Sequence, residues 1–468
     1  MSIPRIILSL FLACILVLSC ATKAIAFCGF YVGGADAKLF NQASQVVIAR
    51  NGDRTILTMA NDFQGAVKDF AMVVPVPVAI KKEQVHVGNR TTIEKLDAFS
   101  QPRLVEYFDP NPCETPSSAR SMMDASGVMP AAPLARANRK PQSELGVTVE
   151  DTFKVNEYEI VILSAKESNG LETWLRQSGY NIPAGASALL SPYIKQNLKF
   201  FVAKIDLKEF DKSGYQVLRP LQIAYESPKF MLPIRLGMIN ARGEQDLVVY
   251  ILSPKGRVEL TNYRTVKVPT GTAIPAYVKS EFGDFYKATF QKLYEREQKK
   301  VAFLEYAWNV SNCDPCSSEP PTATELKAAG VFWEDNGDAQ NTPTFNRRRR
   351  SIAPGSTFIT RIHVRYTRNK FPEDLMFQET GNQENFQGRY VLNHPFKGNI
   401  SCAAGQKYRQ ALRPRLEQEA GNLANLTGWS LRDIYSKIDF SITQPQKAEG
   451  TEPFWRNVWD DKRSDTGY

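Results

Sequence analysis

Two β-branched runs near the start of the chain, Val46-Val-Ile-Ala-Arg50 and Thr55-Ile-Leu-Thr-Met59, flank Asn51-Gly-Asp-Arg54. An Asn-Gly between such runs predicts a hairpin, because both residues tolerate positive φ. Phe70-Ala-Met-Val-Val-Pro-Val-Pro77 reads as a continuous apolar strand. Its Pro75 and Pro77 lack the N–H a ladder needs, so the strand is expected to end there or to lie at a sheet edge. Thr91-Thr-Ile-Glu94 opens a short helix, with Thr91 or Thr92 as N-cap, that ends before Pro102. Residues 158–163, 200–205, 221–225, 230–236 and 246–252 carry further strand patterns. Short helices are expected at 170–178, with Leu171, Trp174 and Leu175 on one face, and at 186–197.

Helical spacing takes over after Ile274-Pro275, where Phe282, Tyr286, Phe290 and Leu293 share a face of a helix of about 20 residues. Residues 301–310 read as a strand, and 324–330 as a short helix stopped by Gly330. Residues 358–366 give the clearest alternation. Phe358, Thr360, Ile362, Val364 and Tyr366 take one face; Ile359, Arg361, His363 and Arg365 take the other, which reads as solvated. The end is helical from 406 to 425, with Pro414 kinking or dividing the helix, and a last turn starts at Ser430 with Asp433 as a capping-box partner. Residues 114–146, with Pro116, Pro130, Pro133 and Pro141 and no sustained period, read as a disordered linker or insertion. These patterns give an α+β protein of antiparallel β-rich modules with short helices and a C-terminal helical segment. The expected modules are 27–113, 147–260 and 261–468.

The first 26 residues do not belong to that fold. Arg5, the apolar run from 6 to 18 and Ala24-Ile-Ala26 have the form of a signal peptide cleaved after Ala26. Val17-Leu-Ser-Cys20 as a lipoprotein site and a retained anchor are the alternatives; Leu18 fits the lipoprotein site poorly. No other stretch approaches the ~18 to 20 apolar residues that a spanning helix needs. The expected location is extracytoplasmic, periplasmic or secreted.

Charge adds little beyond two patches. The net charge is +9. Arg347, Arg348, Arg349 and Arg350 supply four positive charges, and residues 120–140 supply four more against Asp124. This local concentration argues against a nucleic-acid-binding face. Of the seven cysteines, Cys14 and Cys20 leave with the leader, so that Cys28, Cys113, Cys313, Cys316 and Cys402 remain. In an oxidising compartment these are disulfide candidates, and an odd count leaves one free. The pairing preferred here is Cys28 with Cys113, and Cys402 with Cys313 or Cys316.

Cys313-Asp-Pro-Cys316 also has redox spacing. A working redox CxxC sits at a helix N-terminus, whereas Ser317-Ser-Glu-Pro-Pro321 delays any helix, so a structural clasp is the favoured reading. Zinc would require a second pair from Cys402, His363 and His394, which are scattered, and no metal or cofactor is expected. His86, His363 and His394 form no HExxH, and there is no GxSxG. His394 before Pro395 reads as a turn cap. Glu373 and Asp374 have the types for carboxylate-based hydrolysis, although acids after a Phe-Pro turn more often sit in a solvated loop. Asp335-Asn-Gly-Asp338 lacks the rest of an EF-hand. Arg347 to Arg350 read first as a solvated, flexible charge run, with docking on an anionic surface or polymer and a protease site as the alternatives.

Several blocks together resemble a bacterial exported family of uncharacterised proteins, domain of unknown function 2330. They are Cys28-Gly-Phe, 70–77, Phe303-Leu-Glu-Tyr-Ala-Trp308 with the CxxC, 371–380, Asn385-Phe-Gln-Gly-Arg-Tyr-Val-Leu392 with His394-Pro395, and Cys402. The resemblance implies export and a shared architecture, and it implies no activity. The expectation is therefore an exported cell-envelope protein that binds a protein, a polymer or an anionic surface without catalysis. The alternative is an enzyme: a thiol-disulfide oxidoreductase using Cys313 and Cys316, or a hydrolase using Glu373 and Asp374.

Overall fold

The structure is a computed structural model. It describes residues 30–33, 40–41, 44–60, 63–64, 70–114, 146–178, 186–213, 218–239, 243–312, 314, 318–334, 357–398 and 400–443. It is mixed α+β, and the chain forms two compact units. The first takes residues 1–103, 133–270 and 294–388; the second takes 104–132, 271–293 and 389–468.

The first unit is built on a nine-stranded sheet. Its order is Arg264–Lys267, Val301–Asn309, Phe358–Tyr366, Gln245–Ser253, Ser44–Asn51, Arg54–Ala60, Leu221–Glu226 and Val85–Val87, with Phe386–Gln387 paired to Val301–Asn309. Most neighbours are antiparallel, but Gln245–Ser253 runs parallel to Ser44–Asn51. Strands in the centre are buried on both faces, as Val47, Ile48, Val249, Tyr250 and Ile251 show, which accounts for their continuous apolar runs. The expected hairpin forms, but its turn is Gly52-Asp53; only Gly52 takes a positive φ (60°), and Asn51 stays in the strand.

The Arg90–Ser100 helix lies on one face of this sheet, with Ile93, Leu96 and Phe99 packed against Val47, Tyr250, Leu252, Tyr306 and Ile359. Its N-cap is Asn89, whose Oδ1 accepts from the Thr91 amide at 3.0 Å, rather than Thr91 or Thr92. The Ala323–Ala328 helix covers the same cluster through Leu326. It opens on a Thr322/Glu325 capping box and ends at Gly330 (φ 100°), where a Cβ would meet Ile56 Cγ2 at 2.7 Å.

A five-stranded antiparallel sheet follows the order Phe30–Gly33, Phe70–Val76, Lys199–Ile205, Tyr158–Ala165 and Val147–Val155. Phe70–Val76 is interior to it, yet Phe30–Gly33 pairs only as far as Val73, so Pro75 faces no donor-requiring neighbour on that side. The Ser168–Gln177 and Ala186–Lys195 helices bury Leu171, Leu175, Leu190 and Tyr193 against this sheet. The strand expected over 230–236 is only Met231–Leu232: Pro233 interrupts the ladder, and the 3-10 turn Leu236–Ile239 follows.

The second unit holds the small sheet Thr272–Ile274, Arg389–His394 and Arg103–Phe108. Ile274, Phe285, Tyr390 and Leu392 pack against Ala420 and Leu423 of the Ala403–Thr427 helix and Ile434 of the Leu431–Lys437 helix. Pro414 does not divide the long helix. Ser430 makes no side-chain cap hydrogen bond, so the capping box expected with Asp433 is not formed. After Pro275 the chain takes a 3-10 turn, Ala276–Glu281, before the Phe282–Arg296 helix.

Candidate functional site

The face of Phe358–Tyr366 that reads as solvated is covered instead. Arg361, His363 and Arg365 sit opposite Tyr250, Val248 and Asp246 of Gln245–Ser253. A bulge in the partner strand explains how their charges are met. Leu304 pairs with Ile362 and Tyr306 with Arg361, leaving Glu305 as the extra residue. A bulge turns the extra side chain toward the same face as its neighbour, and Glu305 is fully buried there. Its Oε2 accepts from Arg361 Nε at 2.5 Å, and its Oε1 lies 2.8 Å from His363 Nδ1.

The chain of charge continues in both directions. His363 Nε2 is 3.2 Å from Asp246 Oδ1, and Asp246 takes Arg365 bidentately, at 2.8 Å to each oxygen. On the other side Arg361 Nη1 donates to Asp97 Oδ1 at 2.6 Å, and the same oxygen accepts from Tyr250 at 2.5 Å. With a carboxylate at each ring nitrogen, both nitrogens donate and the imidazole is an imidazolium. Burial opposes that charge, but Glu305 and Asp246 outweigh it and push the His363 pKa up to about 9. Burial alone would raise Asp246; His363 and Arg365 hold it well below the usual carboxylate range. His363 is thus a bridge within an ion chain, and the expectation of a solvated histidine is corrected by the two strand carboxylates that hold its ring. The chain also clamps Asp97, in the last turns of Arg90–Ser100, to the sheet.

The other end of the same helix lines an open groove of about 550 Å³. Asn89 and Arg90 form one wall, His86 and Gln222 its floor, Leu218 and Arg219 a second wall, and Thr324 and Lys327 of Ala323–Ala328 a third. His86 and Gln222 are register partners on adjacent strands. Gly88 N–H donates to Pro220 O at 2.7 Å, which joins two of the walls. Gln222 Nε2 donates to Thr58 Oγ1 (2.8 Å) and Ala328 O (3.2 Å), which ties the short helix to the floor. Three cations and no carboxylate line the groove. Their acid partners sit outside the lining: Glu157 takes Arg219 Nε at 3.0 Å, and Glu94 lies 3.4 Å from Arg90 Nε. Three distant segments, 86–90, 218–222 and 324–328, build this groove, and only His86 stood out in the sequence. Arg90, Arg219 and Lys327 carried no local signal.

The family described as an uncharacterized protein conserved in bacteria, DUF2330, matches residues 22–378. The chain belongs to this family. The ion chain and the groove fall wholly within the family match, whereas Cys402 and the Ala403–Thr427 helix lie beyond it. No curated protein and no solved structure matches the chain.

The structure places the remaining sequence candidates of this DUF2330 member as follows. Cys113 bonds Cys402, so the expected pairings of Cys28 with Cys113 and of Cys402 with the CxxC are replaced. Spacing along the chain carries no information about a contact between residues 289 positions apart. Cys28, Cys313, Cys316, Asp335, Asp338 and Arg347 to Arg350 lie outside the described residues. Asp314, between the CxxC cysteines, accepts from Tyr306 OH (3.3 Å) and Gln387 Nε2 (2.9 Å).

Asp374 is buried; its Oδ1 accepts from Tyr193 OH (2.7 Å) and from the amides of Ile234 (2.9 Å) and Arg235 (3.1 Å). Glu373 turns instead to Asn262 at 3.4 Å. Asp374 is thereby a structural joint, and it does not face Glu373 across a cleft. His394 pairs with Glu106 at 2.9 Å and stacks on Phe108, rather than capping a turn. Among the described residues no group of three or more His, Cys, Asp or Glu is arranged to hold a metal ion, and no helix is long and apolar enough to cross a membrane.

Proposed function

We propose that this chain is an exported envelope protein that binds the phosphate or carboxylate groups of an anionic envelope polymer in the groove beside Arg90. The observation that carries the reading is the lining: Arg90, Arg219 and Lys327 with His86, Asn89, Gln222 and Thr324, and no acid among them. Arg219 is fixed by Glu157, so it offers an oriented edge rather than a swinging charge. The side-chain amide of Asn89 adds a neutral donor to a surface suited to repeated anionic groups, which weak and salt-dependent contacts would hold. The leader-like pattern of residues 5–26 supports export, and so does the Cys113–Cys402 bond, of a kind that persists in oxidising compartments.

Labelled inorganic polyphosphate, titrated into the chain lacking residues 1–26 and followed by fluorescence anisotropy, tests this. Binding is expected to weaken as salt rises, and to weaken at least ten-fold in the Arg90→Gln/Lys327→Gln double variant, which leaves the Arg219–Glu157 pair in place. Equal affinity of the two proteins would remove the groove from the reading.

A further inference from the structure

The Cys113–Cys402 bond joins two sulfurs in unlike settings. Cys113 is exposed, in a turn held by Asn111, whose Oδ1 accepts from the Cys113 amide (3.0 Å) and whose Nδ2 donates to Glu114 (2.9 Å). Cys402 is half-buried and is the N-cap of the 25-residue Ala403–Thr427 helix. Its Sγ accepts from the Gly405 amide at 3.2 Å. The bond lies close against the first turn: a Cβ on buried Gly405 would be 3.4 Å from Cys113 Sγ and only 1.7 Å from Ile400 Cγ2. Glycine at 405 therefore lets both Ile400 and the disulfide approach the helix start.

We infer that Cys113–Cys402 is a thiol-exchange site, opened by attack of a dithiol reductant at Cys113 with Cys402 as the leaving thiolate. The reductant's thiolate forms a new S–S bond to Cys113 Sγ as the Cys113–Cys402 bond breaks, and the electron pair passes to Cys402 Sγ. There the Gly405 N–H and the positive end of a 25-residue helix receive the charge. A thiol stabilised as its anion leaves faster, and attack falls on the accessible sulfur, so both requirements select the same direction. The second thiol of the reductant then releases Cys113 as a thiolate, and the two reductant sulfurs end as a disulfide. Two electrons have moved from the dithiol to the protein. The reverse sequence closes the bond against an oxidised partner. Opening frees the start of the long helix from the turn that follows the Arg103–Phe108 strand. The pair is distinct from Cys313 and Cys316.

The test uses the full mature chain, folded, with reduced glutathione as the probe and N-ethylmaleimide as the trap, followed by peptide mapping. Glutathione is expected on Cys113 at least ten-fold more often than on Cys402, with maleimide on Cys402. An equal or reversed distribution, or a bond that stays closed until denaturant is added, would overturn the assignment. Exposure alone would also favour Cys113, so the single variants separate the causes. Cys402 in Cys113→Ser is expected to alkylate with iodoacetamide at pH 7 at least three-fold faster than Cys113 in Cys402→Ser, although Cys402 is the less accessible. A slower Cys402 would show that the helix start does not stabilise its thiolate. If a single variant fails to fold, as judged by far-UV circular dichroism, the mapping on the unmutated chain still decides which sulfur is attacked and which leaves.

Discussion

His363→Gln offers the sharpest probe of the buried ion chain. In the folded protein the imidazolium is held to about pH 9 by Glu305 and Asp246, whereas an unfolded chain would release the proton near pH ~6.5. A raised folded pKa contributes stability that is fully present below the unfolded value and is lost as pH rises through the folded one. The interval between the two corresponds to roughly 3 kcal/mol at 1.36 kcal/mol per unit. Between pH 6 and pH 10 the wild type should therefore lose about 3 kcal/mol more than His363→Gln, which has no proton to lose at this position. Other groups titrate in this range, but they are common to both proteins and cancel in the difference. Urea unfolding of both at four pH values, with the Cys113–Cys402 bond intact in each, measures that difference. Direct NMR titration of the His363 ring supplies a second readout. A difference independent of pH, or a ring that titrates near 6.5, would refute the bridge.

Glu305→Gln keeps the shape of the bulge but removes the charge shared by Arg361 and His363. It should destabilise the first unit by about 3 kcal/mol, as breaking a buried pair does, and bring the His363 titration down, both measurable by urea unfolding and NMR. Asp374→Ala strips acceptors from Tyr193 and from the Ile234 and Arg235 amides, so a loss of about 2–4 kcal/mol is expected by thermal denaturation; an unchanged melting temperature would argue that water replaces the carboxylate. Gly405→Ala would force Ile400 to move and should cost about 1–3 kcal/mol. Ile400→Ala added to it should recover part of that loss, whereas strictly additive losses would mean the two residues do not collide.

Elements whose pattern is local were legible in the sequence. The 44–60 hairpin, the strand at 358–366 and the short helix ending at Gly330 follow from β-branched runs, alternation and a glycine stop, each decided within about ten residues. The meaning of the alternation at 358–366 was not legible. Charges at every second position ordinarily mark a wet face, and what reverses the reading is a bulge in Val301–Asn309 and a helix drawn from residue 90 onward. Pro75 and Pro77 did mark where their strand ends, at Val76, although the strand itself is interior to its sheet because its neighbour Phe30–Gly33 stops short of Pro75. The groove was invisible for the same reason: His86, Arg90, Arg219 and Lys327 are ordinary surface residues until the sheet order brings their segments together. The disulfide was assigned wrongly because only the fold selects a partner.

The parallel pairing of Ser44–Asn51 with Gln245–Ser253 has a consequence for how the chain can be made. A ribosome delivers the Ser44–Ala60 hairpin early, but its central neighbour arrives some two hundred residues later, and the strand that carries Arg361 and His363 later still. Until residue 253 has emerged, the outer edge of the hairpin presents unpaired amides and an apolar face to whatever else is present, and until residue 366 has emerged the exposed edge is that of Gln245–Ser253. Contacts this far apart in sequence also make folding slow. A chain with this wiring stays open to aggregation until its late sheet strands are available. Truncations ending before residue 358 should accumulate as aggregates, however much of the hairpin and the first helix they contain.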